Sequence, residues 1–140
     1  MFELHPRLHR DCITIGNFPL CRLLLMNDAN YPWFILVPQR HGIREIFELN
    51  EVDQHQLLRE SSMLSKVIAG QFHADKINVA ALGNMVPQLH IHHIVRYTTD
   101  PAWPAPVWGH AAASPYSDNA AAILVKTVRE LFPDALSSAG

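Results

Sequence analysis

Short β-forming runs stand on both sides of one long stretch of helical periodicity, and that order leaves few folds open. Ile13–Ile15, Leu20–Met26 and Trp33–Val37 follow one another, separated by the turn Gly16-Asn17-Phe18-Pro19 and the polar cluster Asn27–Asn30. Asn50 then reads as a helix N-cap, with Glu51 and Asp53 in the first turn. Leu57, Leu58, Leu64, Val67, Ile68 and Phe72 keep near-helical spacing, with Gly70 near the end. Ile77–Leu82 and Gln88–Tyr97 are two further strands, joined across Gly83-Asn84. Asp118 caps a last helix that carries Ala121, Leu124, Val125, Val128 and Leu131 on one face and stops at Pro133. The order predicts an α+β fold, an antiparallel sheet of about five strands with a central helix and a C-terminal helix.

No repeat, low-complexity block or linker divides the 140 residues, so one domain over 1–140 is expected. Its core spans about 12–97, followed by a Pro/Trp-rich arm at 98–117 and the helix at 118–132. Pro101, Pro104 and Pro106 remove donors and fix φ, so the arm is expected to pack as extended chain. Met1–Arg10 fits a short helix or turn interrupted at Pro6. A formal net charge of −2 and scattered arginines give no basic run to neutralise phosphates, which argues against a nucleic-acid polymer as partner. No apolar stretch is long enough for a membrane span. Cys12 and Cys21, with no signal segment before them, read as free thiols in a cytoplasmic protein.

The chemistry lies in Pro87-Gln88-Leu89-His90-Ile91-His92-His93-Ile94-Val95-Arg96. On a strand, residues two apart share a face, so Gln88, His90 and His92 form one polar row at ~7 Å spacing while His93 points the other way. Polar groups along an apolar strand are costly to bury unless each has a partner. An imidazole held between hydrogen-bonding neighbours is fixed as one tautomer with its free nitrogen aimed outward, which a neutral nucleophile or general base requires.

This pattern resembles the histidine triad (HIT) superfamily, whose signature is three histidines alternating with apolar residues on a strand, followed in many members by an arginine. With Arg96 fixing the register, His90 matches the central, nucleophilic histidine and His92 the third, while Gln88 stands in place of the first. Phe34–His41 is similar to the family's strand before the central helix, Asn27-Asp28 to its ribose-holding turn, and Asn78–Asn84 to the strand and loop that reach the phosphates. The likeness covers Leu20 to Tyr97 and extends to a bacterial HIT-like subgroup.

The resemblance implies a HIT-like fold, a homodimer, and a hydrolase or nucleotidyl transferase that needs no cofactor. Its substrate would be a small-molecule nucleotide conjugate, such as a nucleoside phosphoramidate or dinucleoside polyphosphate, attacked at the α-phosphate to give a nucleotidyl-histidine. His90, His92 and Gln88 are then the catalytic candidates, and Asn27, Asp28, Asn78, Asn84 and Arg96 the substrate-binding ones. Gln88 offers a donor and an acceptor but neither a proton for the leaving group nor a charge for the phosphate. That leaves open a nucleotide-binding module without turnover. A third reading is a metal-binding protein using His90, His92 and His41. Each candidate also has an ordinary structural role: turn residues at Asn27, Asp28 and Asn84, a surface ion pair at Arg96, a satisfied imidazole at His93, and packing at Trp103 and Trp108.

Overall fold

The computed structural model describes residues 1–138. Its elements are α1 (Pro6–Asp11), β1 (Cys12–Asn17), β2 (Cys21–Met26), β3 (Trp33–Pro38), α2 (Glu51–Gln71), β4 (Lys76–Ala80), β5 (Ile91–Arg96) and α3 (Asp118–Leu131), with a 3₁₀ turn at Ile46–Glu48. The strands form one sheet in the order β1-β2-β3-β5-β4, and every neighbouring pair is antiparallel. The α+β architecture is therefore as the residue pattern predicts.

Both faces of the sheet are covered, which is why the six residues of β3 are all buried. On one face α2 and α3 lie over Leu23, Leu25, Phe34, Leu36, Ile91 and Val95, using Leu57, Leu64, Ile68, Val125 and Val128. The other face carries Leu24, Trp33, Ile35, Val37 and Ile94. There Leu8 of α1 and Ala102 and Val107 of the arm supply the cover.

Several boundaries differ from expectation. Pro6 does not interrupt the first helix but begins it, because the missing N–H at that position has no acceptor to lose. Gly16 and Asn17 belong to β1 rather than to a turn. The ladder bulges between Thr14 and Gly16, and a Cβ at Gly16 would come within 2.7 Å of the Ser137 carbonyl. Ser117 rather than Asp118 caps α3, its Oγ accepting from the Ala120 N–H at 3.1 Å. Asn50 does cap α2, accepting from the Asp53 N–H at 2.8 Å.

The arm is anchored by a buried ion pair. Arg96 donates to both Asp100 oxygens at 2.7 and 3.0 Å, to Asn78 Oδ1 at 2.8 Å and to the Ala105 carbonyl at 2.9 Å. Burial alone would raise the Asp100 pKa, but Arg96 and the Tyr97 and Trp103 N–H groups outweigh it and hold the carboxyl at about 2. Removing one partner of so buried a pair costs about 3–5 kcal/mol.

Candidate functional site

β5 begins at Ile91, so Gln88, Leu89 and His90 lead into the strand rather than forming part of its ladder. The ladder still sets the two faces. His92, opposite Ile35, projects toward the arm, whereas His93, opposite Phe34, projects toward α2.

On the arm side His90 and His92 meet edge to face, with ring centroids 5.0 Å apart. His90 Nδ1 lies 2.7 Å from the Gln88 carbonyl oxygen. A carbonyl can only accept, so Nδ1 carries the proton and Nε2 of the neutral ring keeps its lone pair. His92 is wired in the opposite sense. Its Nδ1 accepts from the Trp33 indole N–H at 2.9 Å, and an indole can only donate, so the proton of the neutral ring sits on Nε2. Burial, reinforced by the neighbouring His90 and His93 rings, drives the His92 pKa down to about 3. The site thus pairs a lone pair on one imidazole with a neutral N–H donor on the next. Trp108 packs edge-on to both His92 and Trp33, with centroids at 5.0 and 5.7 Å, and holds the ring plane.

Both rings open onto a cleft of about 300 Å³, with Leu8, Met26, Leu82, Met85, Val86 and Trp108 as an apolar wall and Arg7, Asp11 and Asn84 as its polar members. Among the described residues Tyr31 Oη is the only buried side-chain polar atom left without a partner, so neither imidazole Nε2 is sealed off. A second groove of about 410 Å³ lies beside Gln88, His5, His41 and Arg44 but includes neither His90 nor His92. The chemistry therefore belongs to the smaller cleft.

Of the residues singled out from the sequence, His90, His92 and Asn84 come together there. Gln88 does not join the row. Its side chain turns to the leading segment, accepting from the His5 N–H and donating to the Glu3 carbonyl, both at 2.8 Å. Arg96 and Asn78 are corrected too: they bond to one another, and Arg96 also to the arm, because a guanidinium buried to 1% exposure must find acceptors nearby. Asn27 Oδ1 accepts from the Tyr116 N–H at 2.9 Å, and Asp28 Oδ1 from the Asn30 and Ser114 N–H groups at 3.0 and 3.2 Å. Those two side chains tie the end of the arm to the sheet and do not line the cleft.

His93 is fully buried, donating from Nδ1 to the Ile91 carbonyl at 3.0 Å and meeting Ser61 Oγ at 2.7 Å. His41 stands in the other groove and Arg40 pairs with Asp53 at 2.7 Å. Among the described residues no three His, Cys, Asp or Glu side chains converge as a ligand set. Sequence reasoning missed Arg7, Asp11 and the role of Trp33. A lone indole two positions out of register with a strand histidine carries no signal before the sheet is paired.

Fold and site together define an antiparallel α+β protein with a histidine-centred cleft beside its central strands. The model of the HIT domain matches residues 7–99, and the chain belongs to the HIT family. It is similar to histidine triad proteins of known structure from three bacteria. The Marinobacter aquaeolei protein is 52% identical with a TM-score of 0.93, over 96% of this chain and 98% of that one. The Sinorhizobium meliloti protein is 45% identical with a TM-score of 0.90, over 93% and 96% of the two chains. The Bradyrhizobium japonicum protein is also 45% identical, with a TM-score of 0.89, over 92% and 96%. No curated protein matches the chain. Among the described residues no helix is long and apolar enough to cross a membrane.

Proposed function

We propose that the protein is a nucleotide hydrolase or nucleotidyl transferase that works through His90, in a bacterial HIT-like subgroup with Gln88 at the first triad position. The observation that carries this is the opposed tautomers of the two imidazoles. His90 Nε2 attacks the α-phosphorus of a nucleoside phosphoramidate or dinucleoside polyphosphate. A P–N bond to the ring forms as the bond to the leaving group breaks. The leaving group departs with the electron pair and takes its proton from water, since Gln88 has none to give. His92 donates its Nε2–H to a phosphate oxygen, where charge develops in the transition state. A water then attacks the same phosphorus, releases the nucleotide and restores His90. The apolar wall of the cleft suits a base, and the mechanism needs neither metal nor cofactor. We assign the reaction to the cytoplasm, a reading that the free thiols of Cys12 and Cys21 support.

Intact-protein mass spectrometry after brief incubation with adenosine phosphoramidate or diadenosine polyphosphates tests this. An acid-labile adduct of AMP mass is expected on the native chain and not on His90→Ala. If the native chain binds AMP yet neither forms the adduct nor releases AMP, the enzyme reading falls and a binding module remains. Gln88 favours that second reading, because its amide is spent on the leading segment and leaves the cleft without an acid at that position.

The homodimer is a further part of the proposal. β4 is an edge strand, and Val79 on it, Leu58 on α2 and Ile46 are exposed around one apolar groove. An unpaired edge beside an apolar patch fits a second copy of the chain. Light scattering at micromolar concentration should give twice the chain mass, and Val79→Asp with Leu58→Asp should halve it. A monomeric native chain would overturn the assignment.

A further inference from the structure

Gln88 presents a donor and an acceptor side by side on one amide. Extended chain offers the matching pair, the carbonyl of one residue and the N–H of the second residue after it, here Glu3 and His5. The two bonds clip together segments that are 83 and 85 positions apart. The clip continues along the chain. His5 Nδ1 accepts from the Arg7 N–H at 3.1 Å and so starts α1. Leu8, buried to 4%, packs in the apolar layer with Trp33 and Val86 and sets the rotation of the helix. Arg7 and Asp11 are thereby turned to the cleft that holds His90 and His92.

Arg7 is the only lysine or arginine on that cleft among the described residues. Asp11 is already bound by Arg10, whose Nε and Nη2 donate to its two oxygens at 2.8 and 3.2 Å. Arg7 Nε stands 4.0 Å from Asp11, beyond hydrogen-bonding range, so its donors remain open to another acceptor. A phosphate delivered to His90 would otherwise meet the His90 ring, the His92 N–H and a carboxylate already matched by Arg10. The negative charge needs a cation, and the leading segment brings one.

We propose that Arg7 is a substrate-binding residue for the phosphate group attacked by His90, and that Gln88 is the positioning residue that holds it there. The glutamine at the first triad position thus exchanges a side chain in the cleft for a clip that installs a guanidinium. This rests on the reading of His90 as a nucleotidyl acceptor.

The test compares AMP with adenosine, by calorimetry, on the native chain, Arg7→Gln, Gln88→Ala and the double variant. Arg7 is half exposed, so solvent screening trims its contribution. Arg7→Gln should weaken AMP binding about five- to tenfold and leave adenosine binding unchanged. Gln88→Ala should lower the AMP-to-adenosine preference by a similar factor, and adding Arg7→Gln to it should lower the preference little further, as for residues acting through one contact. Equal AMP affinity in native chain and Arg7→Gln overturns the inference while the nucleotide reading stands. A native chain that binds no AMP overturns both. Fully multiplicative losses in the double variant remove Gln88 from the account and leave Arg7. Should Gln88→Ala fail to fold, the exposed Arg7→Gln variant still decides whether a phosphate contact exists.

Discussion

His92 and His93 are consecutive on β5, both buried, and both have strongly lowered pKa values, yet the two faces of the sheet use them differently. On the α2 side, His93 spends both nitrogens: Nδ1–H on the Ile91 carbonyl, and Nε2 on the Ser61 hydroxyl, which must donate to it. On the arm side, His92 spends Nδ1 on Trp33 and turns Nε2–H to the cleft. Depth of burial does not separate a working imidazole from a structural one. An uncommitted nitrogen does. Protonation is also resisted unequally. A charged His92 would set its N–H against the indole N–H, which cannot accept, whereas the Ser61 hydroxyl can turn to accept from a charged His93. Burial is the leading cause of both lowered values, about 3 for His92, where the His90 and His93 rings add to it, and about 4 for His93, where the Ile91 carbonyl opposes it.

Asparagine at either position provides the sharpest way to break this comparison. Its short amide can keep the bond made by Nδ1 while deleting everything beyond it. His92→Asn retains an acceptor for Trp33 and loses the donor that faces the phosphate, so the turnover rate should fall on the order of 100-fold with little change in melting temperature. His93→Asn retains a donor for the Ile91 carbonyl and loses the Ser61 contact. It should leave the rate within about twofold and cost about 1–3 kcal/mol of stability. Steady-state kinetics and denaturant melts on the same two variants decide the matter. A rate loss in His93→Asn equal to that in His92→Asn would show that the faces are not separate.

The same division explains what could be read from the residues alone. β2, β3, α2 and α3 announce themselves by periodicity and capping, which are local, and the structure keeps them within a few positions. His90 as the candidate nucleophile comes from the family resemblance, with Arg96 fixing the register, and the structure then gives its Nδ1 a local partner, the carbonyl two residues back. The remaining assignments depend on distance along the chain. Trp33 reaches His92 across 59 positions, Ser61 reaches His93 across 32, and Gln88 reaches Glu3 across 85. No spacing rule points to such partners. Arg96 is instructive in another way. Asp100 stands four residues on, but the proline-rich stretch after it reads only as an extended arm packed somewhere on the domain, and nothing local says that it folds back and buries the pair.

Acid tests whether the two faces are as alike in thermodynamics as they are unlike in use. Both rings have folded pKa values below the ordinary 6.5, so between pH 6.5 and about 5 the unfolded chain binds protons that the folded chain refuses. The stability associated with each ring is intact above pH 6.5 and is lost as pH falls toward its folded pKa, at a slope approaching about 1.4 kcal/mol per pH unit per ring. The lowered carboxylates Asp11, Glu48 and Asp100 act in a separate window. Their stabilisation holds above the ordinary 3.8 to 4.5 and is lost below it, so they do not blur the range above pH 5. Denaturant melts from pH 7 to pH 5 should therefore show native stability falling with acid. His92→Asn and His93→Asn should each flatten that fall by about one proton's worth, and by nearly equal amounts. An unchanged slope in His92→Asn would mean that the ring protonates freely in the folded protein, at the Nδ1 assigned as the acceptor for Trp33. The neutral donor assigned to it would then fail, and with it the distinction between a lone pair on His90 and an N–H on His92 from which the catalytic reading is built.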